Sequence, residues 1–193
     1  MRTRGLVALT MAAVACAGRG RSGASGDECR PVEGPFTAST PWDSLAGSWR
    51  LTLVVGSGPT AGQSVQGALT LRAQDPALRQ VDRPGPTTVT VPVIGTTDIA
   101  LEQVGAVRMG DVRSADPLQP GVAIWASQSP DGAVSAVMRI GQEALRSNLV
   151  RFDGGYTALF LRQVSANAIR GGWASGVTTE TASGYFCAER VSS

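Results

Sequence analysis

Apolar residues recur at every second position through much of this chain, the signature of strands with one buried face. In residues 45–55, Trp49, Leu51, Leu53 and Val55 fall on one face and Arg50, Thr52 and Val54 on the other. This stretch predicts a first strand. Residues 64–72 give the cleanest alternation, with Val65, Gly67, Leu69 and Leu71 set against Ser64, Gln66, Ala68, Thr70 and Arg72. The Gly- and Pro-containing loop at 56–62 joins the two as a hairpin. Residues 74–86 read as an excursion with a short helical turn around Ala77, Leu78 and Arg79. A third strand is predicted over 87–94, with Val89, Val91 and Val93 sharing a face and Pro92 marking an edge or a bulge.

Residues 98–107 are less regular. Ile99 and Leu101 alternate with Asp98, Ala100 and Glu102, which allows a fourth strand there, followed by a long polar loop at 109–120. Asp131-Gly132 is a strong turn signal between strands at 122–127 and 133–141. Residues 142–151 read as a loop helix or a distorted strand. Asp153-Gly154-Gly155 then turns into a strand at 156–164, and strands at 169–175 and 184–191 complete the set. Connections are mostly local. The prediction is therefore an all-β fold, an antiparallel up-and-down barrel of about eight strands, because closing the sheet leaves no exposed edge. A partly open barrel or a sandwich is the alternative. The chain has 193 residues, 24 of them glycine, with 42% hydrophobic and 17% charged residues, which suits one domain of short strands and turns.

The N-terminus breaks the pattern. Met1-Arg2-Thr3-Arg4 is basic and residues 5–15 are apolar, a run too short to anchor in a bilayer but shaped like an export signal. This divides the chain into a signal peptide at 1–15, a tether and lead-in at 16–40 (flexible over 17–27), and a barrel domain at 41–193. Trp42 is expected to cover a barrel end. Ala13-Val14-Ala15-Cys16 resembles the lipobox of bacterial lipoproteins. That resemblance implies acylation of Cys16 as the first mature residue and a partner in the membrane through that lipid. Ala17, rather than Asp, follows the lipidated position, which by resemblance to lipoprotein sorting favours the outer over the inner membrane. Ordinary cleavage after Ala15 is the alternative, since Ala13-Val14-Ala15 also fits a small-x-small site. The chain has three cysteines. With Cys16 acylated, Cys29 and Cys187 remain as a pair able to form a disulfide in an oxidising compartment. Two free buried thiols are the other reading.

Gly47-Ser48-Trp49 resembles the Gly-x-Trp of the first strand in lipocalins and the wider calycin group. Lipocalins often carry an Arg on the final strand that packs across this Trp, and the resemblance implies Arg190 as its counterpart, with Arg–indole stacking as the physical reason; a solvent-facing position for Arg190 is the alternative. Gly171-Gly172-Trp173 is a second Gly-x-Trp, of the kind avidin-like barrels carry on a late strand. The resemblance implies a lipocalin-like architecture, Gly47, Trp49 and Arg190 at a barrel end, and binding of a small, apolar molecule in the barrel mouth. A barrel of this size also fills readily with its own side chains, which makes a structural or interaction module of the cell envelope the second expectation.

Composition removes several chemistries. All 17 basic residues are Arg, with no Lys and no His. Schiff-base lysines, histidine-based triads and histidine metal ligands are excluded from this chain. Setting aside Arg2 and Arg4 in the signal leaves 15 Arg against 15 acids, so no nucleic-acid partner is expected. Asp153 with Glu143 or Glu102, or Asp111 with Asp116, are the carboxylate pairs that hydrolysis or metal binding would use. They lie on turns and loops, where solvated acids are the default. Ser57 and Ser127 lack a histidine base. No catalysis and no cofactor are expected. Trp125, Trp173, Tyr156, Tyr185, Phe160 and Phe186 either line a cavity or fill the core, and Arg139, Arg162 and Arg170 face either lumen or solvent.

Overall fold

The computed structural model describes residues 29–80, 88–141, 156–177 and 179–192. Nine strands form one sheet: β1 (Thr37–Ala38), β2 (Gly47–Ser57), β3 (Ser64–Ala73), β4 (Thr88–Thr97), β5 (Val122–Gln128), β6 (Val134–Ile140), β7 (Tyr156–Val164), β8 (Ala168–Gly176) and β9 (Glu180–Arg190). From β2 to β9 each strand pairs antiparallel with the next, and β9 pairs back onto β2. The result is a closed eight-stranded up-and-down barrel, with β1 outside it. Pairing between β6 and β7 stops at Phe160, and β1 runs parallel to β7 at Gln163 and Val164, where it covers the edge that β6 leaves bare.

Register follows the period-two pattern. Trp49, Leu51, Leu53 and Val55 of β2 point inward beside Leu71, Leu69 and Val65 of β3 and beside Phe186 and Ala188 of β9. Val122, Ile124, Met138, Ile140, Leu159, Leu161 and Trp173 continue the same buried cluster round the ring. Arg50, Gln66, Thr70 and Arg72 lie on the alternate, exposed positions. An apolar inside with a polar outside is the reverse of a porin wall.

Three segments depart from the sequence pattern. Residues 98–107 form no strand. Leu101–Val104 is a single 3-10 turn closed by Gly105 at φ 68°, a left-handed conformation that glycine adopts without a Cβ penalty. Ile99, Leu101, Val104, Ala106 and Val112 are all buried in the main core. The alternation there belongs to a strap laid across a barrel end rather than to a paired strand. In β4 the register shifts between Thr90 and Val93, around Pro92. Val93 therefore points into the main core, while Val89, Val91 and Ile94 join Ala123 and Trp125 in a separate cluster. The expected single face of Val89, Val91 and Val93 is broken by this bulge, because one extra residue inverts the facing of everything beyond it. Finally, the lead-in contributes β1, and Phe36 stacks on Trp42 at 5.9 Å, both packed against the core.

The expected helical turn is present as Pro76–Leu78, begun by the Asp75 carboxylate accepting from the Ala77 N–H at 2.9 Å. In the β5–β6 turn, the Ser129 hydroxyl, and then the Ala133 N–H, hold the Asp131 carboxyl below its ordinary pKa. The loop element expected at 142–151 and the turn at 153–155 lie outside the described residues.

Candidate functional site

The barrel offers three places where function can reside: its two ends and its outer wall. At the first end, β2 opens with Gly47 at φ 136°. The guanidinium of Arg190 lies 4.3 Å from the Trp49 ring centroid. Its nitrogens donate to three carbonyls, those of Ala166 (2.6 Å), Ala46 (2.9 Å) and Ser44 (2.6 Å). The Trp49 Nε1–H donates to the Leu45 carbonyl at 2.9 Å. A Cβ on Gly47 would sit 2.6 Å from an Arg190 nitrogen, so glycine clears the space the arginine occupies. The 3-10 turn Trp42–Leu45 sits over the indole, with Leu45 fully buried. One planar cation thus ties the start of β2, the β7–β8 turn and the preceding 3-10 turn together.

At the opposite end the strap at 98–112 covers the lumen. Its seat is polar and buried. Thr157 of β7 and Ser175 of β8 face inward at 1% and 0% exposure, their hydroxyl oxygens 2.8 Å apart. Thr157 donates to the Val107 carbonyl at 2.7 Å, and the Val107 N–H donates to Ser175 at 2.7 Å. Ser175 has one proton to share between Thr157 and the Tyr156 carbonyl, 2.7 Å away. Upstream, Asp98 accepts from the Ala68 N–H at 2.6 Å, and Thr97 donates to the Ala68 carbonyl at 2.7 Å. Sequence reasoning missed the hydroxyl pair. Its signal was present: Thr157 precedes Leu159 and Leu161, and Ser175 follows Trp173, both in inward register. A polar residue in an apolar register is the sign to look for.

The lumen between these ends is packed. Trp49, Trp173, Phe186, Leu51, Leu53, Leu69, Ile124 and Met138 are among its fully buried side chains. Of the aromatics proposed for a cavity, Trp173 and Phe186 belong to this core. Trp125 and Phe160 face outward, as do the half-buried Tyr156 and Tyr185, by their registers with Val137, Gly172 and Gly176. Arg139, Arg162 and Arg170 also occupy outward positions. An external groove of about 300 Å³ is lined by Ala68, Thr70, Thr96, Thr97, Asp98 and Arg113. Its carboxylate is already engaged by the β3 backbone.

The acids proposed as pairs serve their own loops. Asp111 accepts from the Arg113 N–H and Asp116 from the Leu118 N–H, each at 2.9 Å. Glu102 lies 3.6 Å from Arg108. Glu143, Asp153 and Cys16 lie outside the described residues. Cys29 and Cys187 are joined by a disulfide with Cα atoms 5.6 Å apart, on the outer face of β9. No protein-family model and no curated protein matches the chain.

Proposed function

We propose that this protein is a non-enzymatic module of the cell envelope, exported and held to a membrane, with the outer favoured, by lipid on Cys16. Its lipocalin-like barrel acts as a solid scaffold. The observation that carries this reading is the continuous buried cluster filling the lumen, roofed at one end by Leu45 and at the other by Ile99, Leu101 and Val104. A barrel of eight strands is just wide enough to be filled in this way. The disulfide between Cys29 and Cys187 supports export and leaves Cys16 as the one cysteine available for acylation. The deciding experiment is intact-mass spectrometry of protein extracted from its native membrane, with analysis of anything released on denaturation. An acylated Cys16 and no released compound is the expected result. An unmodified chain removes the lipoprotein assignment.

The buried hydroxyl pair favours a second reading, in which the strap lifts and a small lipophilic molecule enters beneath it. Thr157 and Ser175 would then offer two polar contacts in an otherwise apolar mouth, the usual makeup of a small-molecule site. Strap packing also leaves the buried Thr60 hydroxyl unpartnered, below a Gly105 whose added Cβ would lie 3.5 Å away. A stoichiometric apolar compound released on denaturation would favour this carrier role over the solid scaffold.

A further inference from the structure

The outer wall of β7, β8 and β9 carries a feature that the packed lumen does not explain. Phe160 of β7 is 42% exposed. Across Gly172 of β8 it shares a register line with Tyr185 of β9 and Val54 of β2. Gly172 has no side chain, so the two rings flank a shallow, open strip of backbone. One register step along, Arg170 of β8 sits opposite Cys187, and the bulge residue Arg162 is exposed on β7. Among the described residues of β7 to β9, Glu189 is the acid nearest this strip. It lies beyond Cys187 and is paired in register with Arg50.

The disulfide gives this wall its meaning. It pins Cys29 to Cys187, two strands and two residues from Phe160, a separation of about 12 Å from strand spacings. Only twelve residues separate Cys16 from Cys29, and chain of that length spans roughly 20 Å on average. A lipid on Cys16 is therefore within reach of this wall and of the adjoining barrel end at Arg190, three residues from Cys187, and it is the aromatic and arginine side chains of the wall that choose between them. We propose that the β7–β9 wall lies against an anionic lipid surface, with Phe160 and Tyr185 at headgroup depth and Arg162 and Arg170 facing lipid phosphates. Aromatic rings flanked by arginine suit that interface, being apolar in body and cationic at the rim. The inference rests on the lipid-anchor reading and adds an orientation to it.

The experiment places a spin label at Phe160→Cys, and separately at Gln66→Cys on exposed β3, four strands round the ring and so on the opposite wall. The full chain, processed in its host, is reconstituted into phosphatidylcholine vesicles with and without phosphatidylglycerol. Relaxation by oxygen against an aqueous nickel chelate then reads depth. With phosphatidylglycerol, the label at 160 should sit in lipid and the label at 66 in water. Raising salt from about 0.1 M to 1 M, which shortens the screening length from about 10 Å to 3 Å, should return label 160 to water while the protein stays vesicle-bound. The double variant Arg162→Gln and Arg170→Gln should lose the phosphatidylglycerol dependence. Flotation of the wild type beside Cys16→Ser tests the anchor separately. Vesicle binding that needs Cys16, with label 160 aqueous throughout, overturns the orientation and keeps the anchor. Flotation that does not need Cys16 overturns the anchor, and the label contrast then reports on the wall alone. A label at 160 buried only in native membranes, and not in vesicles, assigns the wall to a protein partner and also overturns the proposal.

Discussion

Arg190 shows how much one side chain can hold when its donors are fixed in a plane. It supplies three hydrogen bonds to carbonyls from three separate stretches while its face covers Trp49. Lysine keeps the charge but is a point donor without a stacking plane. Arg190→Lys should therefore cost about 2–3 kcal/mol, because hydrogen bonds from a charged group contribute about 1.5–3 kcal/mol and most would be lost together. Gly47→Ala should cost a similar amount, about 1–3 kcal/mol, through a left-handed backbone that disfavours a Cβ and through displacement of the guanidinium. Urea denaturation checks both. Because each change removes the same contact, the double variant should lose clearly less than the sum of the two. Full additivity would mean the glycine acts on the backbone alone.

At the scale of elements, legibility in the sequence tracked how local the determining interaction was. β2 and β3 were plain, because hairpin partners with one wet face give strict alternation. β4 is legible as a strand and Pro92 signals a bulge or an edge, but the facing of Val93 beyond it is not, since a bulge is a pairing event that leaves only a proline as its trace. The alternation at 98–107 admits a strand without requiring one, because its apolar residues answer to a barrel end that no local pattern reveals. The Gly-x-Trp and the cysteine count pointed to two pairings far apart in sequence, whereas the Thr157–Ser175 pair needed the register of two strands at once. That pair makes its own prediction. Ser175→Ala strands the Val107 N–H in an apolar setting, at a cost of about 1–3 kcal/mol. The loss should be local. Amide exchange should accelerate over residues 98–112 and stay nearly unchanged in β2, β3 and β9, a contrast that peptide-resolved hydrogen exchange reads directly. Uniform acceleration would show that the strap and the barrel unfold as one unit.

For the whole molecule, closure is the property from which the rest follows. A ring of eight strands leaves little edge to fray, only the end of β7 that β1 covers, and its final joint is β9 against β2. The disulfide sits on that joint, at a residue paired in register with Thr52. It links positions 158 residues apart, so on the chain-entropy argument it removes more unfolded-state freedom than almost any other bridge this chain could form, about 4–5 kcal/mol. Yet it joins the lead-in to the wall and not one strand to another. Removing it should therefore leave the pairings of β2 to β9 intact while destabilising the folded state as a whole. The double variant Cys29→Ser and Cys187→Ser should unfold at lower urea by about 2–5 kcal/mol with native near-ultraviolet dichroism from its buried tryptophans. Its lead-in should become sensitive to protease ahead of the barrel. A variant that loses the dichroism without denaturant would mean that the bridge is needed to close the ring. A variant of unchanged stability would mean that the native state gives back, through strain or lost contacts, what the cross-link removes from the unfolded chain.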